Sequence, residues 1–299
     1  MRAIKVKKTA SAVSTNGHSP FRRQRQIKPP GFEEQMNPLS DHGEETYKGS
    51  GLLEGRSAII TGADSGIGRA VAIALAREGA NVCIAYLKEE KDALETERWV
   101  RKAGRKALRI AGDIQSERHC ESIIETTESK FGAVDILVND AAFQSSHPDP
   151  ADFSTDEFER TFKTNVFGVF YLSRAALRRM EPGSSIVNTV SIQSFDTDGE
   201  LLAYASTKSA LASFTRSLAR TAMATYGVRV NGVAPGPVWT PLIPSTMPAK
   251  KVRQFGSSTV FKRPAQPAEI APIYVFLASA HASYVAGEIY GVTSGQTPL

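Results

Sequence analysis

The chain has 299 residues, of which 41% are hydrophobic and 22% are charged. A chain of this size and composition can bury one substantial core without disulfides or metals to hold it together. Its two cysteines, Cys83 and Cys120, have no metal-ligand spacing, so we predict free thiols, no metal site and a reducing, cytoplasmic location. No apolar stretch approaches the roughly 20 residues that span a bilayer, and no apolar core of a secretory signal is present, so we predict no membrane partner.

The formal net charge of +5 is concentrated at one end of the chain. The first 32 residues contain 8 Lys or Arg and no acid, whereas the rest of the chain contains 28 basic and 31 acidic residues. The larger part is therefore not a basic nucleic-acid platform, and we predict no nucleic-acid partner. Residues 1–28 are predicted to form a solvated, disordered tail, with an organelle transit peptide or a polyanion-binding tail as alternatives.

Residues 57–79 read SAIITGADSGIGRAVAIALAREG and predict a strand, a glycine-rich turn and a helix in immediate succession. The apolar run at residues 58–60 is typical of a strand covered on both faces, and apolar residues then recur at helical spacing. Gly62, Gly66 and Gly68 let the backbone approach a phosphate, and a helix beginning near residues 65–67 directs its free amides towards it. We predict a nucleotide-binding unit, with a plain tight turn as the alternative.

This turn has the pattern Thr-Gly-x3-Gly-x-Gly and resembles that of the short-chain dehydrogenase/reductase family. The resemblance covers residues 52 to about 292, and the preceding HGEETYKGSG at residues 42–51 resembles a bacterial subgroup with an extended amino-terminal arm. We predict a basic, partly disordered arm at residues 1–50, packed along the domain or a neighbouring subunit, and one dinucleotide-binding catalytic domain at residues 51–299. The resemblance implies cofactor contacts from Gly62, Asp64, Ser65, Gly66, Ile67 and Gly68.

Strand-like and helix-like patterns alternate along the rest of the chain. Further strands are predicted at residues 81–86, 106–111, 134–138, 185–190, 228–233 and 288–292. Further helices are predicted at residues 89–103, 117–131, 155–180, 203–226 and 269–278. Together with the resemblance, this alternation predicts a single-domain α/β fold with a doubly wound, Rossmann-like parallel sheet of about seven strands.

The end of the second strand usually decides between NAD and NADP. An acid there would accept hydrogen bonds from the adenosine ribose and repel a 2′-phosphate. This chain has Tyr86, Leu87 and Lys88, and Lys88 could meet a 2′-phosphate. The glycine turn, however, carries Asp64 and Ser65 where a basic residue would assist one. The choice between NAD and NADP therefore stays open.

Two further strand ends carry polar residues that the resemblance places at the cofactor. Asp113, followed by Ile114, is implied to bind the adenine amino group, and the alternative is that Asp113 or Ser116 caps the next helix. Asn139 begins the segment NDAA, which resembles the family's NNAG segment and is implied to support the sheet and border the cofactor. Asp140 departs from the family here, because it places a carboxylate where an amide is usual.

The candidate catalytic residues lie further along the chain. Tyr204 and Lys208 are four residues apart at the start of a predicted helix, so both lie on one face, and Ser191 directly follows a predicted strand. With Asn165, these residues occur in the order of the family's catalytic set. The resemblance implies that Tyr204 is the general acid/base and that Lys208 lowers the tyrosine pKa, normally about 10, and binds the nicotinamide ribose.

The resemblance also assigns roles to the other two members of this set. Ser191 is implied to donate a hydrogen bond to the substrate oxygen. Asn165 is implied to kink its helix, hold a water and connect Lys208 to solvent. The alternative for Asn165 is a polar residue tolerated on a half-buried helix face.

The segment APGPVWT at residues 234–240 resembles the family's Pro-Gly segment. It implies cofactor contacts from Pro235, Gly236, Val238 and Thr240. Residues 241–263 are predicted to form a substrate lid, lined by Met247 and Phe255. Other side chains predicted to border the substrate pocket are Phe143, Gln144, His147, Gln193, Phe195 and Trp239.

These features predict an NAD(P)-dependent oxidoreductase that transfers a hydride between nicotinamide and a small aldehyde, ketone, alcohol or sugar. A non-catalytic nicotinamide-nucleotide-binding scaffold or regulator is the alternative, although it would have little use for Ser191, Tyr204 and Lys208 together. In the family the last helix and strand form a twofold contact, which implies a homo-tetramer.

Overall fold

A parallel sheet of seven strands forms the centre of the molecule, which is seen in a computed structural model that describes residues 20–296. The strands run in the order β3-β2-β1-β4-β5-β6-β7. They are β1 (Ser57–Thr61), β2 (Asn81–Tyr86), β3 (Ala107–Ala111), β4 (Ile136–Asn139), β5 (Ser185–Thr189), β6 (Arg229–Pro235) and β7 (Ile289–Val292). From β1 the chain adds β2 and β3 on one side of the sheet and then β4 to β7 on the other side. This change of side creates a crevice at the carboxyl ends of β1 and β4.

Helices cover both faces of the sheet, which confirms the predicted doubly wound fold. They are α1 (Gly66–Arg77), α2 (Glu90–Lys102), α3 (Glu117–Phe131), α4 (Thr155–Phe162), α5 (Gly168–Leu177), α6 (Leu202–Tyr226), α7 (Leu242–Thr246), α8 (Ala249–Arg253) and α9 (Pro267–Ala278). Alternate residues of β1 enter different cores: Ala58 and Ile60 pack with α1 and α9, and Ile59 packs with α3 and α5. Both faces of the strand are thus buried, as its apolar run predicts.

The helix predicted at residues 155–180 is interrupted around Asn165, where the resemblance implies a kink. A π-helical turn at Lys163–Phe167 separates α4 from α5. The cause is Asn165, whose side chain is buried and bonded across to the loop after β4 instead of facing solvent. Its Oδ1 accepts from the Phe143 amide at 2.8 Å, and its Nδ2 donates to the Phe143 carbonyl at 2.8 Å. A mid-helix Asn therefore ties two segments together at the cost of regular helix geometry.

Residues 20–28, which the sequence assigns to a solvated tail, lie against the domain. The Phe21 ring stacks on Trp239 with the ring centroids 4.0 Å apart, and both side chains are buried. Phe21 and Met36 join a buried cluster with Ile243 and Met247 of the predicted lid. The burial of these apolar side chains outweighs the charge of Arg23 and Arg25, which are exposed. The remainder of the predicted tail, residues 1–19, lies outside the described residues.

A polar cluster fixes the next part of the arm beside the glycine turn. The Glu33 carboxylate is buried, and its Oε1 accepts from the Gly66 amide at 2.8 Å and contacts His42 Nε2 at 2.8 Å. The other imidazole nitrogen, Nδ1, lies 2.9 Å from Glu44 Oε1. Further along, the Tyr47 hydroxyl donates to Glu78 at the end of α1, at 2.7 Å. The arm is thus bonded to both ends of α1.

Within residues 20–296, none of the helices has both the length and the apolar character needed to cross a bilayer. Cys83 and Cys120 are buried, and neither forms a disulfide in this part of the chain.

Candidate active site

A cleft opens at the carboxyl ends of β1 and β4, where the glycine turn, the loops after β2 to β5 and the start of α6 meet. Many of the predicted site residues line it, namely Gly62, Asp64, Ser65, Gly66, Ile67, Asp113, Ile114, Tyr204, Lys208 and Thr240. The predicted site residues that lie outside its lining are Gly68, Asn139, Asn165, Ser191, Pro235, Gly236 and Val238. The arm was not expected here, but Pro29 and Pro30 also border the cleft.

The glycine turn has the close backbone packing that a phosphate-binding turn requires. Gly62 has a φ of +67°, and a Cβ on it would lie 3.1 Å from Ala141 Cα. A Cβ on Gly68 would lie 2.2 Å from the Gly62 carbonyl oxygen, so only glycine lets α1 approach β1 this closely. Gly66 and Ile67, the first residues of α1, line the cleft, although the Gly66 amide donates to the Glu33 carboxylate. This backbone fits the pyrophosphate of a dinucleotide.

Glu89 is a site residue that the sequence analysis missed. It is 2% exposed, lines the cleft and stands three residues after the end of β2. Its Oε2 accepts from the Lys88 amide at 3.0 Å, but its buried Oε1 has no hydrogen-bond partner among the described residues. An unpaired buried carboxylate oxygen is costly, and the ribose hydroxyls of a dinucleotide would satisfy it. Glu89 directly follows Lys88, the last residue that the sequence singles out at this strand end.

Asp64, in the glycine turn, adds a second acid to the same end of the cleft. Burial, together with the charge of Glu89, raises the pKa of the Asp64 carboxyl to about 7. The Asp64 side chain is buried beside α2, and its carbonyl accepts from Arg69 Nε at 2.8 Å. This end of the cleft therefore carries two acids, Asp64 and Glu89. They lie at the strand end where the sequence offered Lys88 as a ligand for a 2′-phosphate.

Of the two residues considered as the cap of α3, Ser116 has that role. The Ser116 hydroxyl accepts from the His119 amide at 3.3 Å and caps α3. Asp113 lines the cleft, and its Oδ1 accepts from the Gln115 amide at 2.9 Å. Asp113 is therefore available to a ligand as well as stabilising its own turn.

Tyr204 and Lys208 line the other end of the cleft, and Ser191 lies beside Tyr204 outside the lining. The Ser191 hydroxyl accepts from the Gln193 amide at 3.1 Å, which leaves its proton for the Tyr204 phenol, to which it is hydrogen-bonded. Lys208 Nζ donates to the Thr189 carbonyl at 2.6 Å and lies 5.5 Å from the centroid of the Tyr204 ring. Because Tyr204 and Lys208 are one helical turn apart, α6 presents both side chains to this point.

Burial dominates the titration of these groups. It raises the pKa of the Tyr204 phenol to about 12, against the lowering effect of the Ser191 hydrogen bond. It lowers the pKa of the Lys208 ammonium to about 8. Tyr204 is thus protonated at neutral pH and Lys208 is mostly in its ammonium form, so this pair can exchange a proton with an oxygen atom placed beside it.

The two asparagines support this arrangement from behind. Asn139 Nδ2 donates to Asn188 Oδ1 at 2.9 Å and so ties β4 to β5. Asn165 Nδ2 also donates to Thr207 Oγ1 at 3.0 Å, which connects the π-helical turn to the α6 residue just before Lys208. Both side chains are buried. They hold the strand ends and α6 in register instead of lining the cleft.

The loop after β6 contributes Thr240 and Pro241 to the cleft, whereas Gly236 and Val238 have structural contacts. The Gly236 amide donates to the Val292 carbonyl at 3.0 Å, and Val238 forms a bridge with Ala265. Pro235 ends β6 within the sheet. Thr240 packs over Gly66, where a Cβ would lie 3.0 Å from its Cγ2.

The predicted substrate-pocket residues are mostly placed elsewhere. Of the six, all within the described part of the chain, Phe143 lines the cleft. Trp239 is instead fully buried in the cluster between arm and lid, where its Nε1 donates to the Pro38 carbonyl at 2.8 Å. His147 is paired with Glu157 at 2.9 Å, and Gln144 donates to Thr246 at 2.8 Å. Met247 likewise belongs to the buried cluster and does not line the cleft.

Comparison with known proteins accounts for this combination of sheet, turn and paired side chains. The family described as enoyl-(acyl carrier protein) reductase matches residues 62–297. A short-chain dehydrogenase from Burkholderia cenocepacia, solved in complex with NADP, superposes with a TM-score of 0.76 at 28% identity, covering 82% of this chain and 99% of that one. The chain belongs to the short-chain dehydrogenase/reductase family.

Two relatives of this short-chain dehydrogenase/reductase match it over nearly its whole length. It is 48% identical to the uncharacterized oxidoreductase YhdF of Bacillus subtilis, over 94% of this chain and 96% of the relative. It is 43% identical to the glucose and ribitol dehydrogenase of Daucus carota, over 92% of this chain and 96% of the relative. The protein is therefore an oxidoreductase of the short-chain dehydrogenase/reductase family.

Proposed function

We propose that this oxidoreductase uses a nicotinamide dinucleotide to interconvert an alcohol and a carbonyl, with a sugar or polyol as substrate. The observation that carries the proposal is the position of Tyr204 and Lys208 in the same cleft as the glycine turn, with Ser191 hydrogen-bonded to Tyr204. The name of the Daucus carota relative, glucose and ribitol dehydrogenase, supports a polyhydroxylated substrate.

The chain's own residues would divide the chemistry as follows. When bound, the nicotinamide supplies or accepts the hydride. Ser191 donates a hydrogen bond to the substrate oxygen and stabilises the charge that develops there. Tyr204 gives its phenolic proton to that oxygen in the direction of reduction and removes it in the direction of oxidation. Lys208, when protonated, favours the ionised phenol by its charge.

The test is turnover by the purified full chain, followed by the absorbance of reduced nicotinamide. D-Glucose and ribitol are offered with NAD and with NADP, beside a panel of small aldehydes, ketones and simple alcohols. We expect turnover of a polyol with a kcat on the order of 1 to 10³ s⁻¹. Dinucleotide binding without turnover of any substrate would favour the scaffold alternative. No dinucleotide binding at all would contradict the proposal.

We further propose that the protein prefers NAD to NADP. The buried, unpaired Oε1 of Glu89 suits a ribose hydroxyl, whereas a 2′-phosphate beside Glu89 and Asp64 would meet like charge. We expect Glu89→Gln to lower the ratio of kcat/KM for NAD to that for NADP by about tenfold, equivalent to ~1.4 kcal/mol. The neighbouring Glu90→Gln is the matched control, because Glu90 is solvent-exposed and paired with Arg109. A wild type that favours NADP would contradict this preference.

We also propose a homo-tetramer, as the family resemblance implies, and a cytoplasmic location, which the two free thiols favour. Large apolar side chains are exposed on α4, the π-helical turn, α5 and α6, which supports a contact between copies of the chain. They are Phe158, Phe167, Phe170, Leu202, Met223 and Tyr226. Light scattering measures the mass in solution, and a monomer would contradict the proposal.

A further inference from the structure

Asp140 is a carboxylate beside the proposed reacting groups to which the chemistry above gives no role. It follows β4 directly and lines the cleft. Its Oδ1 accepts from Thr189 Oγ1 at 2.7 Å, and its amide donates to Thr61 Oγ1 at 3.0 Å. Its Oδ2 faces Gly68, where an added Cβ would lie 3.0 Å away. The side chain is therefore held on two sides and points at the end of β5.

Thr189 connects this carboxylate to the proposed reacting groups. Its carbonyl accepts from Lys208 Nζ at 2.6 Å, while its hydroxyl lies 2.7 Å from the Tyr274 hydroxyl. A hydroxyl has one proton to give, so Thr189 donates to the ionised Asp140 and accepts from Tyr274. Among the described residues, the titratable side chains that face Asp140 are Lys208 and Tyr204 on α6 and Tyr274 on α9.

We infer that Asp140 is a positioning residue that, through Thr189 and by its own charge, keeps Lys208 in its ammonium form beside Tyr204. The inference rests on the proposed function. A buried negative charge favours a nearby cation and disfavours a nearby anion. Asp140 therefore stabilises the charged lysine and the neutral phenol, and its loss would make both groups release their protons more readily.

The directions of the pKa shifts agree with this geometry. Burial lowers the pKa of Lys208 to about 8, and Asp140 is the charge that opposes this lowering. Burial raises the pKa of Tyr204 to about 12, and Asp140 adds to that rise. Burial also raises the pKa of Asp140 itself to about 6, in spite of Thr189 and Lys208. The influence of Asp140 is therefore present above about pH 6 and lost as the pH falls through that value.

The experiment titrates Lys208 directly and does not need turnover. Wild type and Asp140→Asn are labelled with acetic anhydride between pH 5 and 10, and acetylation of Lys208 is quantified by mass spectrometry of its peptide. We expect the midpoint for Lys208 to fall by about one pH unit in Asp140→Asn. The exposed Lys250 serves as the internal control, and Asp152→Asn, at an exposed carboxylate, serves as the control variant. If Asp140→Asn does not fold, Asp140→Ser removes the same charge.

The pH profile of alcohol oxidation gives the second readout. We expect the acidic limb of kcat/KM to move to lower pH by about one unit in Asp140→Asn, with the two proteins converging below about pH 6, where wild-type Asp140 is protonated. An unchanged Lys208 midpoint would overturn the inference. A shifted midpoint in a protein without turnover would instead refute the proposed function and leave the link between Asp140 and Lys208 intact.

Discussion

Tyr204→Phe is expected to lower kcat/KM for the proposed reaction by about 10² to 10⁴-fold, the range typical of losing a general acid/base. Phenylalanine keeps the ring beside Lys208 and removes the hydroxyl that is bonded to Ser191. Packing should be preserved, because Tyr204 is only partly buried and the change removes a single atom. The loss should appear mainly in kcat, since the missing interaction belongs to the reacting atoms.

The control for this variant lies on the same helix. Tyr226→Phe removes a hydroxyl from an exposed tyrosine at the end of α6 and should leave kcat/KM unchanged. The dissociation constant for the dinucleotide, measured by calorimetry, should change by less than about threefold in either variant, a difference of less than ~0.7 kcal/mol. If Tyr204→Phe turned over polyols at the wild-type rate, another group would have to transfer the proton.

His42→Gln is expected to lower the free energy of unfolding by about 3 kcal/mol near pH 6, because it leaves the Glu33 carboxylate buried without its cation. His42 and Glu33 are 3% and 5% exposed, so solvent does not screen the pair. Burial alone would lower the pKa of His42, but Glu33 and Glu44 outweigh it and raise the pKa to about 9. Glutamine keeps a hydrogen-bond donor and cannot carry the charge.

The sign of the pH dependence follows from the raised pKa. Its unfolded value is 6.5 and its folded value is about 9, so the contribution is fully present below pH 6.5 and lost as the pH rises through 9. On the acidic side, burial opposes ionisation of Glu44, but the hydrogen bond from His42 lowers its pKa to about 2. That contribution is present above pH 4.5 and lost as the pH falls towards 2.

Urea unfolding of both proteins at pH 6 and pH 10 measures this dependence. We expect the difference between wild type and His42→Gln to shrink towards zero at pH 10. His281→Gln, at an exposed histidine, is the control and should change stability by less than about 0.5 kcal/mol at either pH. An equal loss at both values of pH would mean that side-chain volume, and not the ion pair, holds the arm.

Local patterns were sufficient to predict most elements, because each depends on residues close together in the chain. The glycine turn is set by Gly62, Gly66 and Gly68, and the pairing of Tyr204 with Lys208 by one turn of helix. The strands were found because burial on both faces leaves continuous apolar runs. The resemblance implied a kink at Asn165, but not the bond that joins its side chain to Phe143 in a different segment.

The tertiary structure decided what the sequence left open or assigned elsewhere. Glu89, which is buried, and Asp140, which is half-buried, differ from solvent-exposed acids only in what surrounds them, and their place beside the cleft is a property of the folded chain. The arm is basic in sequence, yet Phe21 and Glu33 fix it to Trp239 and Gly66, which are far away along the chain. The sequence by itself determined the family, the sheet and the Tyr-Lys pair, because these are encoded by short-range spacing. Only the fold could show which charges lose their water and which partners replace it, because those contacts join residues distant in sequence.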